Sequence, residues 1–432
     1  MARKAKSNSL NIFLNTVFVG KLKKATSGEI SFQYDEDWLQ SGFEISRSLP
    51  LQEDIYKGEI VSRYFDNLLP DNDQIKKLVA EKFGAESTRS FDLLSVIGKD
   101  CVGALSFLPE DYEPPNDFEM NYSPISDIEI ARRLKSLGST TPLGMDDDDF
   151  RLSIAGAQEK TAFLNREGKW QEPHGLTPTT HIFKTSIGAL GIDINFDDSV
   201  DNEWASLFIM KKMGLNVCNT KIAQFGDQKV LIVERFDRKW KKLNENEILL
   251  RIPQEDMCQA LGTSPYQKYQ SEGGPGIIDI SKFLMASKNT NDRLNFFKAI
   301  IVFDLLYATD GHGKNFSIFL EEDGFRLTPF YDVMSGYFLH KREKRPLEKL
   351  KLAMKVGNSG HYDFKRVSKR HYAETAKKCS INEELFETII SELKLQYENL
   401  KIQDDELDPL LNRETLSIIL EGMAKRASLI FS

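Results

Sequence analysis

The stretch Asp310-Gly-His-Gly-Lys-Asn315 decides how the rest of this 432-residue chain is understood. Residues 316–320 follow it, then a Glu-Glu-Asp-Gly turn and a second extended run ending in Asp332. An Asp and an Asn five positions apart, a short hairpin and another Asp supply three oxygen-bearing side chains in the layout that phosphoryl transfer needs. Asp310 can orient an attacking hydroxyl. The Asn315 amide oxygen and the Asp332 carboxylate are hard ligands suited to Mg²⁺ on ATP. Lys314 adds a cation that can neutralise a transferring phosphoryl group. His312 has no Cys or second His at metal spacing, which suits a loop organiser or phosphate contact.

Moving towards the N-terminus, Arg151-Leu-Ser-Ile-Ala-Gly-Ala-Gln-Glu-Lys160 is rich in small residues. Such a loop lets backbone N–H groups approach a phosphate closely, although it matches neither the Walker pattern nor G-x-G-x-x-G. Thr179-Thr-His-Ile-Phe-Lys184 is a strand by composition. Its lysine precedes a helical pattern over residues 201–213 that carries Glu203 and stops at Gly214. A strand lysine followed by a helix carboxylate is the order in which protein kinases pair their phosphate-binding lysine. Lys229-Val-Leu-Ile-Val-Glu-Arg-Phe236 is a buried strand ending where a kinase connects its lobes, which places Glu234 and Phe236 near an adenine base. Small-residue loop, lysine, helix glutamate, connector strand, Asp…Asn…Asp: the order of the five carries more than any one of them.

Composition bounds the rest. A hydrophobic share of 41% and a charged share of 28% fit a folded globular chain of two or three domains. No apolar run reaches the length of a membrane span, since residues 296–308 are broken by Lys298 and Asp304. The basic start Met1-Ala-Arg-Lys-Ala-Lys6 lacks the apolar core of a signal peptide, and a cytoplasmic location is expected. Cys101, Cys218, Cys258 and Cys379 are scattered with no C-x-x-C pair, as for thiols in a reducing compartment. The net charge of −8 does not suggest a stand-alone nucleic-acid binder. Basic clusters occur at Lys341-Arg-Glu-Lys-Arg345 and at Lys365, Arg366, Lys369 and Arg370.

Along the chain the first hundred residues are strand-rich. Helical segments at residues 60–69 and 73–82 are separated by Pro70-Asp71-Asn72, and a third at residues 91–97 is closed by Gly98. Pro114-Pro115-Asn116-Asp117 is a linker by composition, and beyond Ile252 the pattern turns helical apart from the hairpin before Asp332. The expected fold is α+β and two-lobed, with a β-rich N-terminal subdomain and a mostly helical C-terminal domain. The expected division is a β-rich subdomain over 1–112, an α/β region with the nucleotide loop over 113–252, and a helical lobe with the catalytic loop over 253–432.

Taken together, Ser153-Ile-Ala-Gly-Ala-Gln-Glu-Lys-Thr161, Pro178-Thr-Thr-His-Ile-Phe-Lys184, Val233-Glu-Arg-Phe-Asp-Arg238, Glu255-Asp-Met-Cys-Gln-Ala-Leu-Gly262, the Asp310–Asn315 loop and Tyr331-Asp-Val-Met-Ser335 closely resemble the HipA family of bacterial toxin kinases. The resemblance implies an ATP- and Mg²⁺-dependent serine/threonine kinase, the toxin of a type II toxin–antitoxin pair. It implies glutamate–tRNA ligase as the protein substrate, with arrest of translation and persistence as the result. It also implies a HipB-type antitoxin and operator DNA as partners. By position, Asp310 is then the base, and Asn315 and Asp332 hold Mg²⁺. Ala155, Gly156, Ala157, Gln158, Glu159 and Lys160 cradle phosphates, and Lys184 contacts them. Glu234, Arg235 and Phe236 lie at the adenine, with His312, Lys314 and Tyr331 lining the nucleotide site. Ser153 maps onto the family's autophosphorylated serine, whose phosphate would not fit a loop folded over ATP. Lys365, Arg366, Lys369 and Arg370 are the DNA-contact candidates. Two other classes stay open at this point: a co-repressor whose nucleotide site is a relic, and a small-molecule kinase sharing the Asp…Asn…Asp logic.

Overall fold

A computed structural model describes residues 7–112, 118–137, 152–153, 160–187, 198–243, 246–342 and 344–432, with 152–153 and 246 described by their backbone alone. These residues fall into two compact units that do not follow the chain as consecutive segments. The first comprises Met1–Ile182, Arg235–Tyr266 and Ile318–Asp323; the second comprises Phe183–Glu234, Gln267–Ser317 and Gly324–Ser432. The α+β architecture expected from the sequence is present, β-rich towards the N-terminus and mostly helical towards the C-terminus.

In the first unit, the short apolar runs around Asn15 form the hairpin Ser9–Leu14/Val17–Lys24. Asn15 takes the left-handed conformation that a tight turn requires, at φ 55°. An antiparallel sheet grows from this hairpin in the order Tyr56–Lys57, Ile30–Tyr34, Val17–Lys24, Ser9–Leu14, Leu105–Pro109. Leu10, Ile12, Val19, Leu22 and Phe32 lie in its core, the register shift between Ile12 and Phe13 breaking the strict alternation, against Val61, Phe65, Leu93, Leu94 and Ile97 from the helices Glu59–Asp66 and Ser90–Ile97. The helix Asp73–Phe83 starts where Pro70-Asp71-Asn72 predicts: the Asn72 side chain accepts from the N–H groups of Gln74 and Ile75. Further on, the strands Asn121–Pro124, Lys169–His174 and Lys160–Arg166 pair antiparallel in that order.

The first unit also buries an ion network. Arg235, Arg238 and Arg251 converge on Asp100 and Asp237, all of them less than a tenth exposed. Burial opposes the charge on Asp100, but the three guanidinium groups outweigh it and hold its carboxyl well below the usual range. Nearby, the Glu255 carboxylate accepts from the Arg47 N–H at 2.8 Å and the Ser46 hydroxyl at 2.5 Å.

The second unit holds the helices Ser199–Lys212, Asp292–Leu305, Lys369–Lys378, Glu383–Glu398 and Arg413–Ile430. Helix Arg413–Ile430 packs on both Ser199–Lys212 and Asp292–Leu305. Its Arg426 reaches the buried Asp304 through Nε at 2.5 Å and Nη2 at 2.8 Å, and the Tyr372 hydroxyl donates to the same carboxylate at 2.7 Å. Asp304, which breaks the apolar run in sequence, is thus the polar centre of this bundle. A hairpin, Lys351–Val356/His361–Asp363, lies in a region expected to be helical. One face of its first strand, Leu352, Met354 and Val356, is buried, as the strand period of two places it.

Candidate functional site

The second unit assembles the candidate site from the end of one strand, one helix and two loops. Lys184 is the fourth residue of the strand His181–Thr185, and Glu203 sits one turn into the helix Ser199–Lys212. The Lys184 ammonium donates to Glu203 Oε1 at 2.7 Å and to Asp332 Oδ1 at 2.8 Å. Burial opposes its charge, yet the Asp332 and Glu203 carboxylates raise its pKa well above the ordinary lysine value. Lys184 is therefore held between two carboxylates that favour its charged form. Asp332 adopts φ 58°, a left-handed conformation that costs a non-glycine residue about 1–3 kcal/mol and often marks a functional position.

Helix Asp292–Leu305 delivers the Asp310 loop. The Asn315 amide Nδ2 donates to the Asp310 carbonyl at 2.6 Å and to the Asp332 carbonyl at 3.4 Å, tying the two segments together. With the amide nitrogen so engaged, the Asn315 oxygen is the atom of that side chain that could take a cation. The Tyr331 hydroxyl donates to the Lys314 carbonyl at 2.8 Å and shares a hydrogen bond with the Ser317 hydroxyl at 2.6 Å. His312, Lys314 and Asn315 are all buried, whereas the Asp310 side chain keeps 45% of its surface exposed.

Two further tethers escaped the sequence reasoning. The Asn202 side chain spans the backbone of Ser335: Nδ2 donates to its carbonyl at 3.0 Å, and Oδ1 accepts from its N–H at 2.7 Å. The Ser335 hydroxyl in turn donates to the Leu306 carbonyl at 2.7 Å. The helix bearing Glu203, the segment bearing Asp332 and the helix end preceding Asp310 are thereby pinned to one another. The only sequence signal was position, since Asn202 adjoins Glu203 and Ser335 closes the Tyr331-Asp-Val-Met-Ser335 stretch. The second tether is Tyr269, whose hydroxyl donates to Asp310 Oδ1.

The donor set suits a hard cation. Among the described residues no group of three or more His, Cys, Asp or Glu could hold a metal ion. A cation here would rest on one carboxylate, one amide oxygen and the oxygens of water and phosphate, which is the habit of Mg²⁺ rather than of zinc.

The HipA-like C-terminal domain matches residues 152–400, and the HipA N-terminal domain matches residues 10–108. The chain belongs to the HipA family. The serine/threonine-protein kinase toxin HipA of Shewanella oneidensis is 32% identical over 348 residues, covering 77% of this chain and 76% of its own. The Y4mE protein of Sinorhizobium fredii is 33% identical over 333 residues, covering 76% of this chain and 77% of its own. A solved structure of Shewanella oneidensis MR-1 HipA with HipB and operator DNA superposes with a TM-score of 0.77 at 25% identity, covering 98% of this chain and 97% of that one. The fold is thus that of a HipA protein.

The remaining expected site residues are described by their local surroundings. Ala155, Gly156, Ala157, Gln158 and Glu159 lie outside the described residues. Ser153 is described by its backbone alone, which pairs in parallel with Cys101. Lys160 opens the strand Lys160–Arg166 and is half-buried. Glu234 is exposed and accepts from the Asn219 amide at 3.0 Å. The Arg235 guanidinium donates to Asp237, Asp100, Thr179 and the Cys101 carbonyl, within the buried ion network. The Phe236 ring packs edge-on against Phe319 at 5.7 Å. Of the basic cluster, the Arg366 and Arg370 side chains are 71% and 76% exposed. Lys365 pairs with Glu348, and Lys369 pairs with Glu387 at 2.9 Å.

Proposed function

We propose that this HipA-family chain is an ATP-dependent serine/threonine-protein kinase acting as the toxin of a type II toxin–antitoxin system. The observation that carries the reading is the Lys184–Glu203–Asp332 ion triplet beside the Asp310 and Asn315 loop. Asp310 takes the proton of the acceptor serine hydroxyl as its oxygen bonds the γ-phosphorus and the bond from that phosphorus to ADP breaks. Lys184 holds phosphate oxygens and is itself held in place by Glu203. Asn315 and Asp332 would hold Mg²⁺, which when bound neutralises charge on the phosphate oxygens. Ser153 is the autophosphorylation site in this reading. Glutamate–tRNA ligase is the protein substrate, its modification slows translation and favours persistence, and a HipB-type antitoxin with operator DNA restrains the toxin. The basic side chains Lys365, Arg366, Lys369 and Arg370 supply phosphate contacts.

The test is direct. Purified protein incubated with Mg·ATP is expected to carry phosphate at Ser153, and the label should vanish in Asp310→Asn. Labelling that survives that substitution removes Asp310 from the mechanism. Addition of glutamate–tRNA ligase should yield a phosphoserine on it and loss of tRNA charging. A chain that leaves growth unaffected when expressed with or without its upstream neighbour is no toxin.

A further inference from the structure

Among the described residues, the contacts of the Asp310 carboxylate fall on one oxygen. The Tyr269 hydroxyl donates to Oδ1, and His312 Nε2 stands 3.4 Å from the same atom. The Tyr269 ring also meets the His312 imidazole edge-on, with centroids 4.9 Å apart. Oδ2 is then the oxygen presented to an acceptor hydroxyl, on the side chain that keeps 45% of its surface exposed.

The loop that carries Tyr269 is built to hold it still. The Lys268 carbonyl accepts from the Gly313 N–H of the Asp310 loop at 3.2 Å. The Tyr269 carbonyl closes the following turn by accepting from the N–H groups of Glu272 and Gly274, each at 2.9 Å. Gln270 Oε1 accepts from the Lys355 N–H at 2.8 Å, anchoring the turn to the strand Lys351–Val356. Gly273 sits at φ +100°, and a Cβ on Gly274 would lie 2.1 Å from the Gln267 carbonyl oxygen, so the loop closes only with glycine at both positions.

We infer that Tyr269 is a positioning residue for phosphoryl transfer, its hydroxyl fixing Asp310 by Oδ1 so that Oδ2 faces the acceptor hydroxyl. The inference rests on the kinase reading and adds to it. A carboxylate on an otherwise exposed side chain turns freely about χ2. The Tyr269 donor on one oxygen, with the His312 ring beside it, selects a single orientation, which is what an attacking hydroxyl needs in order to be aligned and deprotonated in the same step. Tyr269 touches neither reactant, and its effect passes through Asp310.

The experiment uses the full chain and γ-labelled Mg·ATP, comparing wild type, Tyr269→Phe and Tyr269→Ala for transfer rate at saturating ATP and for the ATP concentration giving half that rate. Tyr269→Phe keeps the ring against His312 and removes only the hydroxyl. The rate should fall about ten- to hundredfold with half-saturation unchanged, and Tyr269→Ala should be at least as slow. A Tyr269→Phe rate within twofold of wild type overturns the inference, because a packing role needs only the ring. A rise in half-saturating ATP that accounts for the whole loss overturns it too, placing Tyr269 in nucleotide binding. A lowered melting temperature that accounts for the loss makes Tyr269 structural and overturns it likewise. Wild-type protein without Asp310-dependent transfer sinks the kinase reading itself, whereas an active wild type with a silent Tyr269→Phe sinks only this role.

Discussion

At the scale of single residues, Lys184 does two separable jobs. It is 7% exposed and lies between two carboxylates, so its removal takes a buried cation away from Glu203 and Asp332. Breaking a buried pair in this way costs about 3–5 kcal/mol. Lys184→Met should therefore lower the melting temperature and abolish phosphoryl transfer together. Adding Glu203→Gln should return most of the stability, as one buried charge disappears, and none of the activity. A double variant as unstable as the single one would mean that Glu203 is not the source of the strain. Residues of this kind stood out in the sequence because the proposed reaction would dictate their type, and Asp310, Asn315, Asp332 and Lys184 are few-choice positions for it. Tyr269 was not legible. It lies 41 residues before Asp310 and acts only through a tertiary contact that no spacing rule foretells.

Among elements, the functional segments are fixed to one another by small polar side chains inside an apolar bundle. Asn202 and Ser335 are each 2% exposed, and their hydrogen bonds join two helices to the Asp332 segment. Ser335→Ala deletes the donor to the Leu306 carbonyl. The expected cost is about 1–3 kcal/mol of stability, with a fall in transfer rate at saturating ATP, measured by thermal melting and by the labelled-ATP assay. Ser335→Thr keeps the hydroxyl and should retain more of both than the alanine variant. Unchanged stability and rate in Ser335→Ala would show that the backbone alone holds the segments. Most helices and strands were legible because their periods and stops are local: Pro70-Asp71-Asn72 as a break, and Gly98 and Gly214 as stops. The hairpin Lys351–Val356/His361–Asp363 was missed because its short apolar alternation is embedded between helical stretches. The glutamine that anchors it, Gln270, is 85 residues away in sequence.

For the molecule as a whole, the first unit stakes its stability on buried charge of both signs, and pH is the means of testing it. Asp100 has its pKa held down by Arg238, Arg235 and Arg251 against the cost of burial, so its contribution is present above the usual carboxylate range and is lost as the pH falls through it. Glu255 has the opposite sign. It is fully buried, and desolvation pushes its carboxyl up to about 8 in spite of the Arg47 and Ser46 donors. The folded chain binds the Glu255 proton more tightly than the unfolded chain does. Its contribution is therefore complete below the ordinary glutamate pKa and is lost as the pH rises from there towards 8. Glu255→Gln removes the titration and keeps the shape: Oε1 can still accept from Arg47, and the Ser46 hydroxyl can turn to accept from Nε2. Between pH 5 and pH 8 the melting temperature of the wild type should fall relative to that of Glu255→Gln, so that the variant gains on the wild type steadily as the pH rises. Parallel melting curves for the two proteins across that range would show that Glu255 keeps an ordinary carboxylate pKa, and the donors at Ser46 and Arg47 would then outweigh its burial. None of this was legible in the sequence, because Glu255 is one of many glutamates until Ser46 and Arg47, more than 200 residues away, enclose it.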